Sequence, residues 1–451
     1  MRPAFVLLAV GSWLSVVSSQ SLEQTIQLPE SGWPFALCYS PLYGKLYCEI
    51  WAGDEAGNVV VIDGGSNAIA ASFWLHGWLG ANVNLGYNSR NGKVYGVTYG
   101  WDDEYLNVID GRIDSVVALV PSQSEPYYFC YNPKEDKLYW ANSWPEGTVT
   151  VTDGARDSIL TTVEVGSFPT VLCYCPERNK VYCANEGSST VTVIDGATDS
   201  VVATLTVRDT PVAFCYNPQN DKVYCAGRSW NDGSISVLDG TGDSVLATLS
   251  TYGRPVALCY NERDNKVYCA NGGVDRVAVI DGASDSLVAS VSAGIGVSAL
   301  CYVALNDKVY CANSGSDDVT VIDGASDTVA RTIDVGVAPQ ALAYNPVQNR
   351  VYAANGRSST ISVICDSGGV ASRTGQPAPV WPFAATVVRG SLHFSGKAQA
   401  ALFDMSGRKV ANLHDGANDV SRLAPGVYFV REESQATSLK PQAIRKVVIA
   451  R

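Results

Sequence analysis

A tyrosine recurs along most of this chain at a nearly constant spacing, and that spacing restricts the folds open to it. The recurring residues are Tyr47, Tyr95, Tyr139, Tyr182, Tyr224, Tyr268, Tyr310 and Tyr352, at steps of 48, 44, 43, 42, 44, 42 and 42 residues. The clearest copy of the surrounding repeat contains four short strand-like runs, at 211–216, 222–226, 234–239 and 244–249. A unit of about 42 residues with four short strands is what one blade of a β-propeller requires.

The residues between these runs support four-stranded blades. Gly, Asn or Asp precedes the Lys or Arg that opens each second strand, and these three types tolerate positive φ best. We therefore predict a tight turn with a left-handed residue between the first and second strands. An Asp-Gly pair follows the third strand in seven units, and its regular position favours a hairpin over a metal site. These pairs begin at Asp63, Asp110, Asp153, Asp195, Asp239, Asp281 and Asp323.

The number of strands predicts how the ring closes. Eight units contain the first three strands, but the eighth ends at Cys365 with no fourth strand after it. The run at 25–28 precedes the first unit just as 204–207 precedes the fifth. We predict an all-β fold, an eight-bladed β-propeller over residues 20–366 whose N-terminal strand completes the last blade. Such closure removes the exposed sheet edges of an open ring.

Three units contain the segment Tyr-Cys-Ala-Asn, at 182–185, 268–271 and 310–313. These segments resemble the Tyr-Val-Thr-Asn motif of the YVTN family of bacterial β-propellers, and the likeness covers residues 25–366. The resemblance implies a surface-layer or periplasmic propeller, in a family that usually has seven blades. Blades 1 and 2 depart from the motif, with Tyr47-Cys-Glu-Ile50 and Tyr95-Gly-Val-Thr98.

The first 19 residues have the layout of a secretory signal peptide. Arg2 precedes an apolar run over 4–17, and small residues offer a cleavage site before Gln20. An uncleaved anchor is the alternative, although the run is short for a membrane span. No later stretch reaches 18 unbroken apolar residues, so no transmembrane segment is predicted in the mature chain.

The C-terminal part differs from the repeat in composition and charge. A Gly-, Ser- and Pro-rich stretch over 367–382 predicts a linker, and strand-like runs over 383–451 predict a small antiparallel β-sandwich. Residues 371–451 carry 11 Lys or Arg against 5 Asp or Glu, whereas the whole chain has a net charge of −12. The acidity therefore belongs to the propeller, and an acidic body repels phosphate backbones, so a nucleic-acid partner is not predicted.

The order of three segments in this domain resembles a known module. Asp404-Met-Ser-Gly-Arg-Lys-Val410 is followed by residues 423–431 and by Lys446-Val-Val-Ile449. The order is similar to that of the C-terminal sorting domain of the type IX secretion system of Bacteroidetes-like bacteria. That resemblance implies an export or anchoring signal recognised by secretion machinery. An ordinary immunoglobulin-like module that packs on the propeller is the alternative.

Ten of the 13 cysteines form pairs ten residues apart, each spanning the first two strands of one blade. Export permits disulfides, and joint presence or absence in a blade suggests contact. The turn decides the outcome: a three-residue loop sets the two cysteines opposite each other. A four-residue loop, which Asn217-Pro218 favours, instead sets Cys215 opposite Tyr224. The pairs are Cys38 and Cys48, Cys173 and Cys183, Cys215 and Cys225, Cys259 and Cys269, and Cys301 and Cys311.

Free thiols filling small apolar slots between blades are the alternative to disulfides. Metal binding by the cysteines is not predicted, because no Cys-x-x-Cys pair and only three histidines accompany them. His76 is the only histidine of the propeller, and the chain has neither a haem-attachment motif nor a Gly-x-Ser-x-Gly elbow. No catalytic residue and no cofactor other than weakly held Ca²⁺ are therefore predicted.

Departures from the repeat are the better guide to function, because binding residues concentrate in loops on a rigid scaffold. The loops after the second strand are longest and most aromatic in blades 1, 2, 3 and 5. They contain Trp51, Trp101, Tyr105, Trp144 and Trp230, together with Asp102, Asp103 and Asp232 as weak Ca²⁺ candidates.

These loops should leave one face of the ring, so we predict an aromatic and acidic rim that binds a glycan or a protein at the cell surface. The alternative is that each tryptophan covers the loop of its own blade. The competing function is a carboxylate-based hydrolase or lactonase-like enzyme, which requires acids or histidines converging on the central channel.

Overall fold

Strands are the regular secondary structure of the chain in the computed structural model. The structure describes residues 19–29, 31–51, 56–78, 84–98, 105–121, 126–143, 147–229, 232–367, 386–388, 391–394, 399–403, 409–414, 416–419, 426–433 and 444–449. No helix in these ranges is long and apolar enough to cross a membrane. Contacts divide the chain into two units, 1–370 and 371–451. The predicted signal peptide over 1–19 and linker over 367–382 lie almost wholly outside the described residues.

The first unit consists of eight four-stranded antiparallel sheets, the blades of a propeller. Blades 1 to 7 take four consecutive strands each from β2 to β29, and blade 8 combines β30, β31 and β32 with β1. The strands are β1 (Ser19–Gln27), β2 (Trp33–Ser40), β3 (Lys45–Trp51), β4 (Ala56–Asp63), β5 (Ile69–Trp78), β6 (Leu85–Tyr87), β7 (Lys93–Thr98), β8 (Tyr105–Asp110), β9 (Ser115–Pro121), β10 (Pro126–Asn132), β11 (Lys137–Asn142), β12 (Thr148–Asp153), β13 (Ser158–Glu164), β14 (Pro169–Cys175), β15 (Lys180–Asn185), β16 (Thr190–Asp195), β17 (Val201–Thr206), β18 (Thr210–Asn217), β19 (Lys222–Arg228), β20 (Ser234–Asp239), β21 (Val245–Ser250), β22 (Pro255–Asn261), β23 (Lys266–Asn271), β24 (Arg276–Asp281), β25 (Ser286–Ser292), β26 (Val297–Val303), β27 (Lys308–Asn313), β28 (Asp318–Asp323), β29 (Thr328–Asp334), β30 (Pro339–Asn345), β31 (Arg350–Asn355) and β32 (Thr360–Ser367).

The ring closes as the strand count predicts. Strand β1 pairs antiparallel with β32 and forms the outermost strand of blade 8. It spans nine residues and is longer than the predicted run at 25–28. The innermost strands contact one another in sequence from β2 to β30, and β30 contacts β2. The predicted eight-bladed, self-closed propeller is therefore confirmed.

In six of the eight blades the recurring tyrosine donates a hydrogen bond to the next blade. The hydroxyls of the other two, Tyr182 and Tyr310, have no hydrogen-bond partner in the described part of the chain. All eight of these tyrosines are fully buried. In blade 5, the hydroxyl of Tyr224 donates to Asp285 of blade 6 at 2.6 Å, and the ammonium of Lys222 reaches the same carboxylate at 2.5 Å. The side chains of Lys222 and Asp285 are each only 15% exposed, so the pair is shielded from solvent. The repeat therefore keeps Lys and Tyr two residues apart because both bind one carboxylate of the neighbouring blade.

The predicted turn residues adopt positive φ in every blade, at Gly44, Gly92, Asp136, Asn179, Asp221, Asn265, Asp307 and Asn349. The seven Asp-Gly hairpins also form, but their glycines do not adopt the positive φ that the left-handed turn residues have. Positive φ falls later in the turn, for example at Asp243 (φ 47°) rather than at Gly240. The amide of Gly240 donates to the carbonyl of Asp221 at 2.9 Å, and a Cβ atom would lie 2.6 Å from that oxygen. Close approach, not handedness, requires glycine there.

The strand register is the one that Asn217-Pro218 favours, and it separates the two cysteines of each possible intrablade disulfide. Cys215 lies opposite Tyr224, so Cys225 faces the other side of the sheet, and the other pairs repeat this arrangement. All 13 cysteines are free. The pairs that do not bond are Cys38 with Cys48, Cys173 with Cys183, Cys215 with Cys225, Cys259 with Cys269, and Cys301 with Cys311.

The thiols instead fill the apolar cores between blades, which was the alternative. The first-strand cysteine of one blade shares a core with the second-strand cysteine of the next blade. These pairs are Cys130 with Cys183, Cys173 with Cys225, Cys215 with Cys269, and Cys259 with Cys311.

Within the described residues, the second unit has seven strands in two sheets. One sheet has the order β33, β39, β38, β35, β36, and the other pairs β34 with β37. The strand pairs described in these sheets are antiparallel, apart from the parallel pair β33 and β39. The strands are β33 (Thr386–Val388), β34 (Ser391–Phe394), β35 (Gln399–Phe403), β36 (Lys409–Leu413), β37 (Gly416–Asp419), β38 (Gly426–Glu433) and β39 (Ile444–Ile449).

Candidate functional site

The antiparallel blades give the propeller two faces of different construction. The turn face carries the turns between first and second strands and between third and fourth strands. The loop face carries the connections between second and third strands and those from one blade to the next. Six Lys–Asp ion pairs link neighbouring blades on the turn face at 2.5–2.8 Å. The turn face therefore uses most of its charged repeat residues to hold the ring together.

The innermost strands offer little acid–base chemistry to the central channel. In the eight described innermost strands, from β2 to β30, no Asp, Glu, His, Lys or Arg occurs. His76 is exposed on β5, the outermost strand of blade 1, and its backbone amide donates to Asn107 at 2.8 Å. The converging acids required by a carboxylate-based hydrolase are not found on these strands.

The predicted rim is only partly within the described residues. Trp51 ends β3, where its ring meets that of Trp33 edge-to-face, with centroids 5.3 Å apart at 78°. Trp51 also packs against the core between blades 1 and 2. Tyr105 begins β8 and is half-buried. Trp101, Trp144, Trp230, Asp102 and Asp103 lie outside the described residues.

Asp232, the described Ca²⁺ candidate, holds a connection between blades. Its Oδ2 accepts a hydrogen bond from Ser250 at 2.6 Å, and its Oδ1 accepts one from the amide of Tyr252 at 2.9 Å. Asp275 and Asp317 brace the next two connections through the amides of Gly296 and Ala338. Across the described ranges, no group of three or more His, Cys, Asp or Glu side chains is placed to hold a metal ion.

A pocket opens on the loop face over blades 4, 5 and 6. Its volume is about 490 Å³, and connections of all three blades line it. We call it the arginine pocket, after three of its residues. The lining consists of Glu186, Ser189, Arg208, Asp209, Thr210, Arg228, Ser229 and Arg254.

The charges in the arginine pocket are incompletely paired. Arg228 donates to Glu186 at 2.8 Å, and Arg208 lies 3.9 Å from Asp209. Asp209 also accepts a hydrogen bond from Ser234 at 2.5 Å. The guanidinium of Arg254 has no hydrogen bond or ion pair within the described part of the chain. Three guanidinium groups face two carboxylates, which leaves the pocket with a net positive charge.

Departures from the repeat create this pocket. Gly227 stands where five other blades have Asn, and those asparagines include Asn185, which donates to two threonine hydroxyls of the third strand. In blade 5 the carboxylate of Asp209 takes over this role toward Ser234. A Cβ atom at position 227 would lie 2.8 Å from Cβ of Asp209, so glycine makes room for that carboxylate.

Sequence reasoning did not find the arginine pocket, although blade 5 is one of the blades that it singled out. Arg208 and Asp209 replace pairs such as Gly294-Ile295 and Gly336-Val337 in other connections. Aligning the connections from one blade to the next, as well as the loops after the second strand, would have exposed this signal.

A second departure, also unpredicted, is a buried acid in blade 1. Glu49 occupies the position of Ala226 and its equivalents, and it is fully buried between blades 1 and 2. Neither carboxylate oxygen has a hydrogen-bond partner. Burial raises the pKa of Glu49 to about 8. At neutral pH the group is therefore mostly protonated, and it adds no fixed negative charge to the blade interface.

Comparison with solved structures supports the propeller fold, whereas comparisons of sequence find no relative. No protein-family model matches the chain, and no curated protein matches it in sequence. The Dos1 propeller superposes with a TM-score of 0.63 at 14% identity, over 77% of this chain and 95% of that one. Saccharomyces cerevisiae Sqt1 gives 0.64 at 10% identity, over 75% and 97%.

Kuenenia stuttgartiensis hydrazine synthase gives a TM-score of 0.52 at 16% identity, over 75% of this chain and 97% of that one. At these identities the likeness establishes the propeller fold alone. The function has to be argued from the surface of this chain.

Proposed function

We propose that this protein is exported to the cell surface, where its propeller binds a glycan or a protein on the loop face. The observation that carries the proposal is the exposure of large side chains on the connections between blades. Trp33, Phe168, Tyr252, Ile295 and Val337 are 43–72% exposed there. Large exposed side chains on rigidly held loops are a common feature of interaction surfaces, and a propeller presents such loops well.

The aromatic and acidic rim is part of this proposal. Trp51 and Trp33 supply a described aromatic pair, and Trp101, Trp144 and Trp230 belong to equivalent loops of other blades. Tryptophan combines a large contact area with a polar N–H, which suits both sugar rings and peptide chains. Residues 383–451 act as the export or anchoring signal in this proposal, with the secretion machinery as their partner.

Array binding tests the ligand class. The full chain is applied to glycan and peptide arrays beside a variant in which Trp51, Trp101, Trp144 and Trp230 are alanine. Trp74→Ala is the matched control, since Trp74 is 43% exposed on the outermost strand of blade 1. We expect the quadruple variant to lose binding and the control to retain it. Unchanged binding by the quadruple variant removes the rim from the proposal, and no binding by the wild type overturns it.

Deletion of residues 383–451 in the native cell tests export. We expect the truncated protein to remain inside the cell, detected by surface labelling with a membrane-impermeant reagent. Equal surface labelling of the truncated and full-length proteins contradicts a sorting role.

A further inference from the structure

We infer that the arginine pocket binds a carboxylated sugar, such as a uronate residue of an acidic glycan. This inference rests on the proposed function and names its ligand class. The pocket lies on the same loop face as the exposed connections, and Tyr252, which is 72% exposed, precedes Arg254 by two residues.

The charge of the pocket selects an anion. The side chain of Asp209 is only 12% exposed and accepts a hydrogen bond from Ser234. Its carboxylate lies 3.9 Å from the guanidinium of Arg208, so that ion pair is long and the charge of Arg208 is only partly compensated. Arg254 is exposed and has no side-chain partner in the described ranges. Guanidinium groups bind carboxylates through two parallel N–H···O bonds, which an ammonium group cannot form. Because the whole chain carries a net charge of −12, this local excess of positive charge runs against the charge of its surroundings.

The lining favours a sugar over a peptide. All eight described lining residues are polar or charged, so this part of the lining suits a polar ligand better than an apolar peptide side chain. The hydroxyls of Ser189, Thr210 and Ser229 can both donate and accept hydrogen bonds, as sugar hydroxyls require. A volume of about 490 Å³ lies within the range of small-ligand sites, about 300–1,000 Å³. A carboxylated saccharide of one or two rings satisfies the charge, the hydroxyls and the size together.

The geometry of blade 5 supports a site built for this purpose rather than a random cluster. Gly227 admits the Asp209 carboxylate, and that carboxylate holds the third strand through Ser234 in place of the missing asparagine. The exchange keeps one of the two hydrogen bonds that the asparagine makes in blade 4, and it places Arg208 and Arg228 at the pocket. Arg228 keeps its bond to Glu186 at 2.8 Å, so its guanidinium is positioned before any ligand arrives.

Calorimetry with defined oligosaccharides tests the inference on the full chain. The probes are trigalacturonate and its fully methyl-esterified form, which has the same rings but no charge. Arg254→Gln is the test variant. Arg357→Gln is the matched control, because Arg357 is also an exposed arginine on a loop-face connection, in blade 8. We expect wild type to bind only the charged probe, with affinity falling as salt is raised. Arg254→Gln should weaken binding about tenfold, the effect of one charge-assisted contact, and Arg357→Gln should leave it unchanged.

Three outcomes of the calorimetry with these probes and variants overturn the inference. These are equal affinity for the charged and esterified probes, equal losses in the two variants, and absence of trigalacturonate binding at low ionic strength. If the arrays show a neutral glycan or protein ligand while trigalacturonate does not bind, the pocket inference fails and the proposed function stands. If the quadruple tryptophan variant binds the arrays as wild type does and trigalacturonate binds through Arg254, the pocket stands and the rim is removed. Binding of a sulfated oligosaccharide in preference to trigalacturonate identifies sulfate as the anion and overturns the assignment of a carboxylate.

Discussion

The turn face and the loop face of this propeller are built from the same eight repeats, yet they differ in what their polar residues do. On the turn face, lysine and aspartate of neighbouring blades pair in six interfaces, and in five of these the recurring tyrosine contacts the same aspartate. Lys266 and Tyr268 both contact Asp327, at 2.8 and 2.7 Å. On the loop face, the corresponding connections vary from blade to blade, and large side chains such as Tyr252 and Ile295 remain exposed.

In blade 7 the lysine does not reach the neighbouring blade, and this exception shows what the inter-blade ion pair depends on. Lys308 of blade 7 turns to Asp323 of its own blade at 2.8 Å, because blade 8 continues into the C-terminal part of the chain and has no third hairpin. At the opposite side of this junction, Arg350 of blade 8 contacts the hairpin of blade 1 through the carbonyls of Gly64 and Gly65. The inter-blade link is thus a property of the hairpin, and it is lost only where the hairpin is missing.

The difference between the faces shows how a repeat protein can separate stability from binding. A residue repeated in every interface contributes to closure many times, so a change there is costly. A residue that breaks the repeat contributes to ring closure at one interface or at none. Such a residue can bind a ligand if it lies on the surface, and it destabilises the ring if it buries a charge. Glu49 and the arginine pocket are the two clearest cases.

Glu49 should show the largest effect, because it is a repeat-breaking residue inside the ring. Its pKa is raised from 4.5 to about 8 by burial. Below about pH 4.5 both the folded and unfolded states are protonated and no penalty arises. Between about pH 4.5 and about pH 8 the unfolded state ionises while the folded state stays protonated, so stability is lost progressively over that range; above about pH 8 both states are ionised and no further loss occurs.

Glu49→Gln removes this titration. The free energy of unfolding of the variant, relative to wild type, should rise with pH by at most about 5 kcal/mol between about pH 4.5 and pH 9. Urea unfolding at a series of pH values measures it. A constant difference between the two proteins over that range would show that Glu49 keeps an ordinary pKa.

Asp285→Ala should show the next largest effect, on the turn face. The substitution leaves Lys222 and Tyr224 without their shared acceptor in an interface where the ion pair is 15% exposed on each side. We expect a loss of about 3 kcal/mol in the free energy of unfolding. Asp334→Ala, which changes an exposed acid on an outermost strand, is the control and should cost less than about 0.5 kcal/mol. Equal losses in the two variants would contradict the role of the inter-blade link.

Much of the turn face could be predicted because eight copies of one unit act as an alignment within a single sequence. The positive-φ residues such as Asp221, the hairpins and the closing strand all followed from position in the repeat. What the repeat could not show is which residues of different blades meet. The tyrosine recurs because its hydroxyl reaches a carboxylate about 60 residues later in the chain, for example from Tyr224 to Asp285.

The cysteines show why internal alignment misleads about contacts. The two cysteines of a blade occur together at a fixed spacing, although they face opposite ways. The residues that they contact lie in adjacent blades, and these are not always cysteines. Cys301 shares a core with Ala353, and Cys48 shares one with Ala343. The arginine pocket has the same origin, since Arg208, Arg228 and Arg254 come from three connections that only the ring brings together.

Cys269→Ala should cost about 1 kcal/mol, because it removes one buried sulfur atom from the core that it shares with Cys215. Adding a reductant to wild type should leave the urea midpoint unchanged, since burial and strand register keep the thiols apart and free. Burial also raises the pKa of Cys173 and Cys301 to about 12, so these thiols should resist alkylation until the protein unfolds. A reductant-induced loss of about 2–4 kcal/mol would instead indicate disulfides.

Arg254→Gln should have the smallest effect on stability and thereby separates the two faces most sharply. Arg254 is exposed and has no side-chain partner in the described part of the chain, so we expect a change below about 0.5 kcal/mol in the free energy of unfolding. The same variant should weaken binding of trigalacturonate about tenfold. Asp285→Ala should lower the free energy of unfolding but leave the affinity for trigalacturonate unchanged, because Asp285 lies on the turn face. The binding measurement is made under conditions in which this variant remains folded. If Arg254→Gln lowers the free energy of unfolding as much as Asp285→Ala does, then loop-face residues also stabilise the ring. That result would contradict the separation of stability and binding between the two faces.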